Sequence, residues 1–124
     1  MKTCINTEKA PAAIGPYSQG VSATPFVWTS GQLPIDMKTG ELEIRDIKKA
    51  TKNSIENCRS VLEAAGLGLA NVVKTTVFMT NLNDFAAMNA VYSEYFAENA
   101  PARSCVQVAA LPKGAPIEIE MIAG

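Results

Sequence analysis

The 124-residue sequence contains no histidine. That absence removes Ser-His-Asp and Cys-His nucleophile pairs, the one side chain that titrates unperturbed near neutrality, and the main nitrogen ligand of the common zinc sites. Cysteine is scarce. Cys4, Cys58 and Cys105 are odd in number, widely spaced and form no C-x-x-C pair, so neither a disulfide framework nor a metal knuckle is expected. Charge of one sign is lacking as well: 11 basic side chains face 12 acidic ones, for a net charge of -1. Nucleic-acid binding, which clusters Lys and Arg, is therefore not expected. The nearest cluster, Arg45, Lys48, Lys49 and Lys52, has Asp46 and Glu56 interspersed and reads as a solvated helix face. No apolar run approaches the length of a membrane span, and the polar, proline-containing start lacks the apolar stretch of a secretory signal. Three unpaired cysteines fit a reducing interior, so the expected compartment is the cytoplasm. The chemistry must run on carboxylate, guanidinium, hydroxyl and backbone groups.

What is present is an ordinary globular composition, 48% hydrophobic and 19% charged. At this length one domain, residues 1–124, is expected to bury roughly two thirds of the surface of its unfolded chain without a staple. Residues 17–30 read as short strands broken by turns at Gly15-Pro16 and Thr24-Pro25, and Asp36 to Gly40 as a surface turn. From Ile47, the apolar positions Ala50, Ile55, Cys58, Val61, Leu62 and Ala65 recur at helical spacing, with Gly66 as the C-terminal cap. Val72 to Thr80 is apolar and β-branched on both faces apart from Lys74, as in a strand inside a sheet. Asn83 and Asp84 are expected to cap a second helix bearing Phe85, Met88, Tyr92, Tyr95 and Phe96 on one stripe, closed off by Pro101.

Two more strands finish the pattern. In Arg103 to Ala109, alternation puts Arg103, Cys105 and Gln107 on one face; in Ile117 to Ile122 it separates Ile117, Ile119 and Met121 from Glu118 and Glu120. The connection Ala110 to Pro116 does not force these strands to be neighbours. The predicted fold class is α+β: a mixed sheet with two helices on one face. Its opposite face is expected to hold Arg103, Cys105, Gln107, Glu118 and Glu120 beside apolar residues. A half-apolar sheet face of that kind is normally buried against copies of itself in a closed homo-oligomer.

Four segments combine glycine or proline with polar residues in ways a plain core does not need. They are Ile14-Gly15-Pro16-Tyr17-Ser18-Gln19; Ser30-Gly31-Gln32; Pro101 to Ala109 with Leu111-Pro112-Lys113-Gly114; and Ile117-Glu118-Ile119-Glu120. In this order and at these spacings they closely resemble the RidA family, also called the YjgF/YER057c/UK114 family. Asn71 to Val77 and Asn83 to Tyr92 extend the resemblance over nearly the whole chain. It implies a chorismate-mutase-like fold and a homotrimer with its sheets packed inside and clefts between subunits. It also implies cofactor-free hydrolysis of reactive 2-imino acids, such as 2-iminobutanoate and 2-iminopropanoate, to 2-oxo acids and ammonia. Such substrates are released by pyridoxal-phosphate-dependent serine and threonine dehydratases. Neither a cofactor nor a metal is expected.

The residues can be weighed individually. Arg103 offers a planar fork that holds a carboxylate in a bidentate pair, against the plainer reading of a surface ion pair. Glu118 and Glu120 lie on one strand face roughly 6.6 Å apart. Alternating Ile-Glu-Ile-Glu is also how an ordinary half-buried strand looks, and the resemblance selects Glu120 to direct water and leaves Glu118 structural. Cys105 lacks a base to make it a nucleophile, and reads as a small residue whose backbone meets substrate. Tyr17 follows a Gly-Pro turn and either places its hydroxyl in a cleft or packs in the core. Ser30 and Gly31 end a strand, either where bare backbone can approach a ligand or as a simple turn. Asn89 interrupts the apolar helical stripe, to bond a neighbouring group or to reach the cleft. A module that binds 2-oxo acids without turnover would use the same arginine; a ribonuclease, proposed for relatives, is disfavoured by the missing histidine and balanced charge.

Overall fold

The computed structural model describes residues 1–124. The elements are β1 (Thr3–Ile5), β2 (Gly20–Ala23), β3 (Phe26–Thr29), α1 (Ile47–Ala64), β4 (Val72–Met79), α2 (Phe85–Tyr95), β5 (Ala102–Gln107) and β6 (Ile117–Ala123). The sheet order is β1-β2-β3-β6-β4-β5. All neighbours are antiparallel except β4 and β5, which run parallel. A parallel pair needs a crossover, and α2 supplies it. This is the expected α+β layer, with β1 as an addition not read from the polar start.

Both helices lie on one sheet face. Asp46 caps α1, its Oδ1 accepting from the backbone N–H groups of Lys48 and Lys49 at 3.0 and 3.2 Å. Gly66, at φ +81°, turns the chain out of the helix, and Leu67 N–H donates to Leu62 O. The cap expected at Asn83 and Asp84 differs. A 3-10 turn over Leu82–Asp84 precedes α2, and Asn81 caps that turn through Asn83 N–H, whereas Asp84 makes no side-chain cap. The core lies between helices and sheet: Ile55, Val61 and Leu62 of α1 and Met88 and Tyr92 of α2 meet Val77, Ile117, Ile119 and Met121. Most polar groups inside it are satisfied, the buried Ser54 hydroxyl being left without a partner. Thr29 Oγ1 accepts from Met121 N–H at 3.0 Å, and the Cys58 thiol donates to Ile119 O at 3.3 Å. Burial pushes the Cys58 pKa up to about 12, so it is a core thiol and not a reactive one. All three cysteines are unpaired, and no helix is long and apolar enough to cross a membrane.

The register decides which charged residues share a face. β4 lies between β5 and β6, pairing Thr76 with Glu120 and Phe78 with Glu118 on one side, and Thr75 with Arg103 and Val77 with Cys105 on the other. Thr75 and Val77 are fully buried under the helices. Arg103, Cys105 and Gln107 therefore lie on the helix side, while Glu118 and Glu120 point to the open side. The expectation that all five share the open face is corrected. Alternation within each strand was read properly, but the phase between two strands is set by the strand that separates them. The open face carries Phe26, Trp28 and Val106, exposed, with Phe78 and Ile122 half-buried.

Gly20, where β2 passes beneath α1, is a tightly packed backbone position of the core. A Cβ there would sit 2.6 Å from Val61 Cγ1 and 2.9 Å from the carbonyl oxygen of Trp28. Gly20→Ala is expected to cost about 1–3 kcal/mol through overpacking, read as a lower urea midpoint at unchanged m-value.

Candidate functional site

The largest cleft, about 580 Å³, opens between the segment Pro11–Tyr17, the strand exit Ser30–Leu33 and the turn at Pro112–Lys113. Its polar wall is made by Tyr17, Ser30, Gly31, Lys113 and Glu118. One buried side chain holds the N-terminal strap that forms one wall. Gln19 Oε1 accepts from Thr7 N–H at 2.7 Å, and Gln19 Nε2 donates to the carbonyls of Thr7 at 2.9 Å, Pro11 at 2.8 Å and Ala10 at 3.3 Å. With no regular structure between Ile5 and Gly20 to satisfy its backbone, the strap depends on this one amide.

Gly15, at φ +124°, reverses the chain so that Tyr17 N–H donates to Gly15 O at 2.9 Å, and the Tyr17 hydroxyl accepts from Ile14 N–H at 3.3 Å. Tyr17 is 53% exposed and edges the cleft, which excludes the core reading. Ser30 is fixed from both ends: its N–H donates to Gln19 O at 2.8 Å and its hydroxyl to Ser18 O. The next residues are stitched to β6 by a reciprocal pair, Gln32 N–H to Ile119 O at 2.7 Å and Ile119 N–H to Gln32 O at 3.2 Å. That pairing lays Gly31 directly over Glu118. A Cβ at Gly31 would overlap the Glu118 carboxylate, so glycine here makes room for the acid.

Of the two glutamates, Glu118 lines the cleft and Glu120 does not. Glu118 is half-buried, and its pKa is raised above the ordinary carboxylate value, first by burial and then by the like charge of Glu120. A carboxylate pushed upward beside a hydroxyl and bare backbone is suited to taking a proton from water.

A second cluster sits at the other sheet edge, on the helix side. The Arg103 guanidinium lies 4.6 Å from the Tyr92 ring centroid and 5.4 Å from that of Phe85, and its Nη1 donates to Asn89 Oδ1 at 2.7 Å. It makes neither of the chain's ion pairs, Lys49 with Glu43 and Arg59 with Glu56, so the surface ion-pair reading does not hold. Cys105 packs with its Sγ 3.7 Å from Met79 Sδ. Burial pushes its thiol up against the smaller opposing effect of Arg103, which keeps it protonated.

Within one chain the structure thus brings together Tyr17, Ser30 and Gly31, and separately Arg103, Asn89 and Cys105, with Glu120 in neither group. Sequence reasoning missed Glu118 as the cleft acid, Gln19 as the clamp and Tyr92 as the support of Arg103. Glu118 and Glu120 are equivalent by alternation, and only the Gln32–Ile119 bridge separates them. No three cysteine or carboxylate groups converge as metal ligands.

A family model for endoribonuclease L-PSP matches residues 7–124. A 2-iminobutanoate/2-iminopropanoate deaminase of Salmonella typhimurium is 55% identical over 126 residues, covering 99% of this chain and 98% of its own. A RutC family protein of Pyrococcus horikoshii is 54% identical over 123 residues, covering 99% and 98%. Among solved structures, the YjgF gene product of E. coli is 52% identical with a TM-score of 0.92, over 98% of this chain and 97% of its own. E. coli TdcF with bound serine is 48% identical with a TM-score of 0.93, again over 98% and 97%.

The two causes of the Glu118 shift can be separated. In a carbon-13 titration of the glutamate carboxyls, Glu118 is expected to titrate above 4.5. Glu120→Gln should move it down without bringing it fully to that value, because the like charge goes and the burial stays.

Proposed function

The chain belongs to the endoribonuclease L-PSP family, the family of the RidA and YjgF proteins, and on that premise we propose that it hydrolyses reactive 2-imino acids to 2-oxo acids and ammonia. The observation that carries the reading is Glu118, a carboxylate of raised pKa held against Gly31 in a cleft edged by the Tyr17 hydroxyl. The deaminase name of the Salmonella relative supports the same chemistry.

In this mechanism Glu118, in place of Glu120, orients a water and takes its proton as the oxygen attacks the C=N carbon of the protonated imine. The resulting carbinolamine gains a proton on nitrogen, loses one from oxygen and expels ammonia, leaving the 2-oxo acid. Free imines hydrolyse in water unaided, so positioning and modest electrostatic stabilisation suffice. Arg103 binds the substrate carboxylate as a bidentate pair. Tyr17, Ser30 and the Gly31 backbone shape the pocket around the reacting carbon, with the Cys105 backbone beside the anchor. The substrates are 2-imino acids such as 2-iminobutanoate and 2-iminopropanoate, supplied by pyridoxal-phosphate-dependent serine and threonine dehydratases.

Arg103 and Glu118 lie on opposite faces of one sheet, and the proposal joins them through a closed homotrimer with the open faces packed inward. The apolar set Phe26, Trp28, Phe78, Val106 and Ile122 on that face supports it, as does the place of β5 at the sheet edge. Each cleft then combines Glu118 of one copy with Arg103 of another. Endoribonuclease activity, named in the family model, is the weaker reading for a chain that has no histidine to serve as acid or base and a balanced charge.

Coupled to a threonine dehydratase, the protein is expected to accelerate 2-oxobutanoate formation. Glu118→Gln should abolish the acceleration and spare 2-oxobutanoate binding, Arg103→Ala should lose both, and Glu120→Gln should keep turnover. No acceleration by the wild type, with binding intact, would leave a carboxylate-binding protein and sink the enzymatic reading. Refolding Arg103→Ala together with Glu118→Gln chains should restore about a quarter of wild-type activity if each site draws on two copies of a trimer, and none if one chain supplies both residues.

A further inference from the structure

We propose that Tyr92 and Asn89 are positioning residues that hold Arg103 in a neutral cradle, and that the neutrality of this cradle gives the site its affinity for carboxylates. The inference rests on the reading of Arg103 as the carboxylate anchor. It concerns what keeps that anchor available.

A guanidinium taken out of water is normally compensated by a carboxylate. Arg103 is half-buried and has none. Its positive charge lies instead over the faces of Tyr92 and Phe85, where the ring quadrupoles stabilise a cation without adding a negative charge. Its Nη1 is taken by the amide oxygen of Asn89, an acceptor with no net charge. The remaining guanidinium N–H groups have no acceptor in the chain, so the fork stays open and the whole charge is available to an incoming anion.

The cradle is itself braced. Tyr92 is 5% exposed, shares a hydrogen bond of 2.8 Å with Thr75 Oγ1, and packs at a tilt against Phe96 at 4.8 Å between ring centroids. Thr75 is the β4 partner of Arg103 in the parallel register. The strand neighbour of the arginine therefore holds the ring that holds its head group, and the crossover helix α2 carries Phe85, Asn89 and Tyr92 over that edge. An aspartate at position 89 would keep the shape and hydrogen bond but neutralise the anchor internally. Asparagine separates support from compensation, an assignment composition alone does not make.

Titration calorimetry with 2-oxobutanoate tests this without turnover. Arg103→Ala should abolish binding; if it does not, the anchor reading itself fails. Given that loss, Asn89→Asp should weaken binding at least about tenfold, and Tyr92→Leu about tenfold, while Tyr92→Phe stays within about twofold because the ring is kept and its packing against Phe96 holds it when the Thr75 hydrogen bond goes. In the coupled assay the Asn89→Asp defect should appear in KM and leave kcat nearly unchanged. Tyr92→Leu empties buried volume, so circular dichroism confirms its fold; should it fail to fold, Asn89→Asp and Tyr92→Phe decide. Wild-type affinity in Asn89→Asp, or equal losses in Tyr92→Phe and Tyr92→Leu, would overturn the proposal.

Discussion

The pairing of β4 with β6 on one side and β5 on the other is the constraint on which the rest of the molecule depends. Because side chains alternate at every residue, this double register assigns each polar group of three strands to a face at once. It sends Thr75, Val77, Ile117 and Ile119 into the core and leaves Glu118 and Glu120 on the open side. It also puts Arg103 behind the sheet from both acids. A slip of one residue between β4 and β5 would bury Ser104 under α2 and turn the guanidinium out of its aromatic cradle.

The cleft owes its shape to loops that the sheet merely anchors. The Gln32–Ile119 bridge carries the strand exit across β6, so that Gly31 covers Glu118, and the Gln19 amide fastens the facing strap through three of its carbonyls and one N–H. Loop-built sites placed on a rigid frame are common because the frame carries the stability and the loops carry the groups. Here the joints between the two are few and identifiable, and both run through buried glutamines, Gln19 and Gln32.

The two charged groups are treated in opposite ways. Glu118 is destabilised as an anion, by burial and by Glu120, and so becomes a better proton acceptor. Arg103 is kept as a cation by groups that carry no charge of their own. Each environment favours the task proposed for its residue in imine hydrolysis, and both are assembled without histidine.

Local rules made much of the fold legible. Helical spacing from Ile47, the β-branched run from Val72 and the alternation in Ile117–Ile122 identify elements because each depends on neighbours a few residues away. Arg103, Tyr17, Ser30 and Gly31 were legible as candidates because their residue types and turn contexts are unusual for a plain core. The choice between Glu118 and Glu120 was not, since alternation treats them alike and the distinction comes from a strand exit more than eighty residues away. Nor was the side of the sheet on which Arg103 lies. Local pattern identified most of the elements, though not β1, along with the absence of histidine chemistry and the identity of the chemical groups; which groups meet was left to the tertiary structure, because phase between strands and the crossing of loops are long-range contacts that no local pattern encodes.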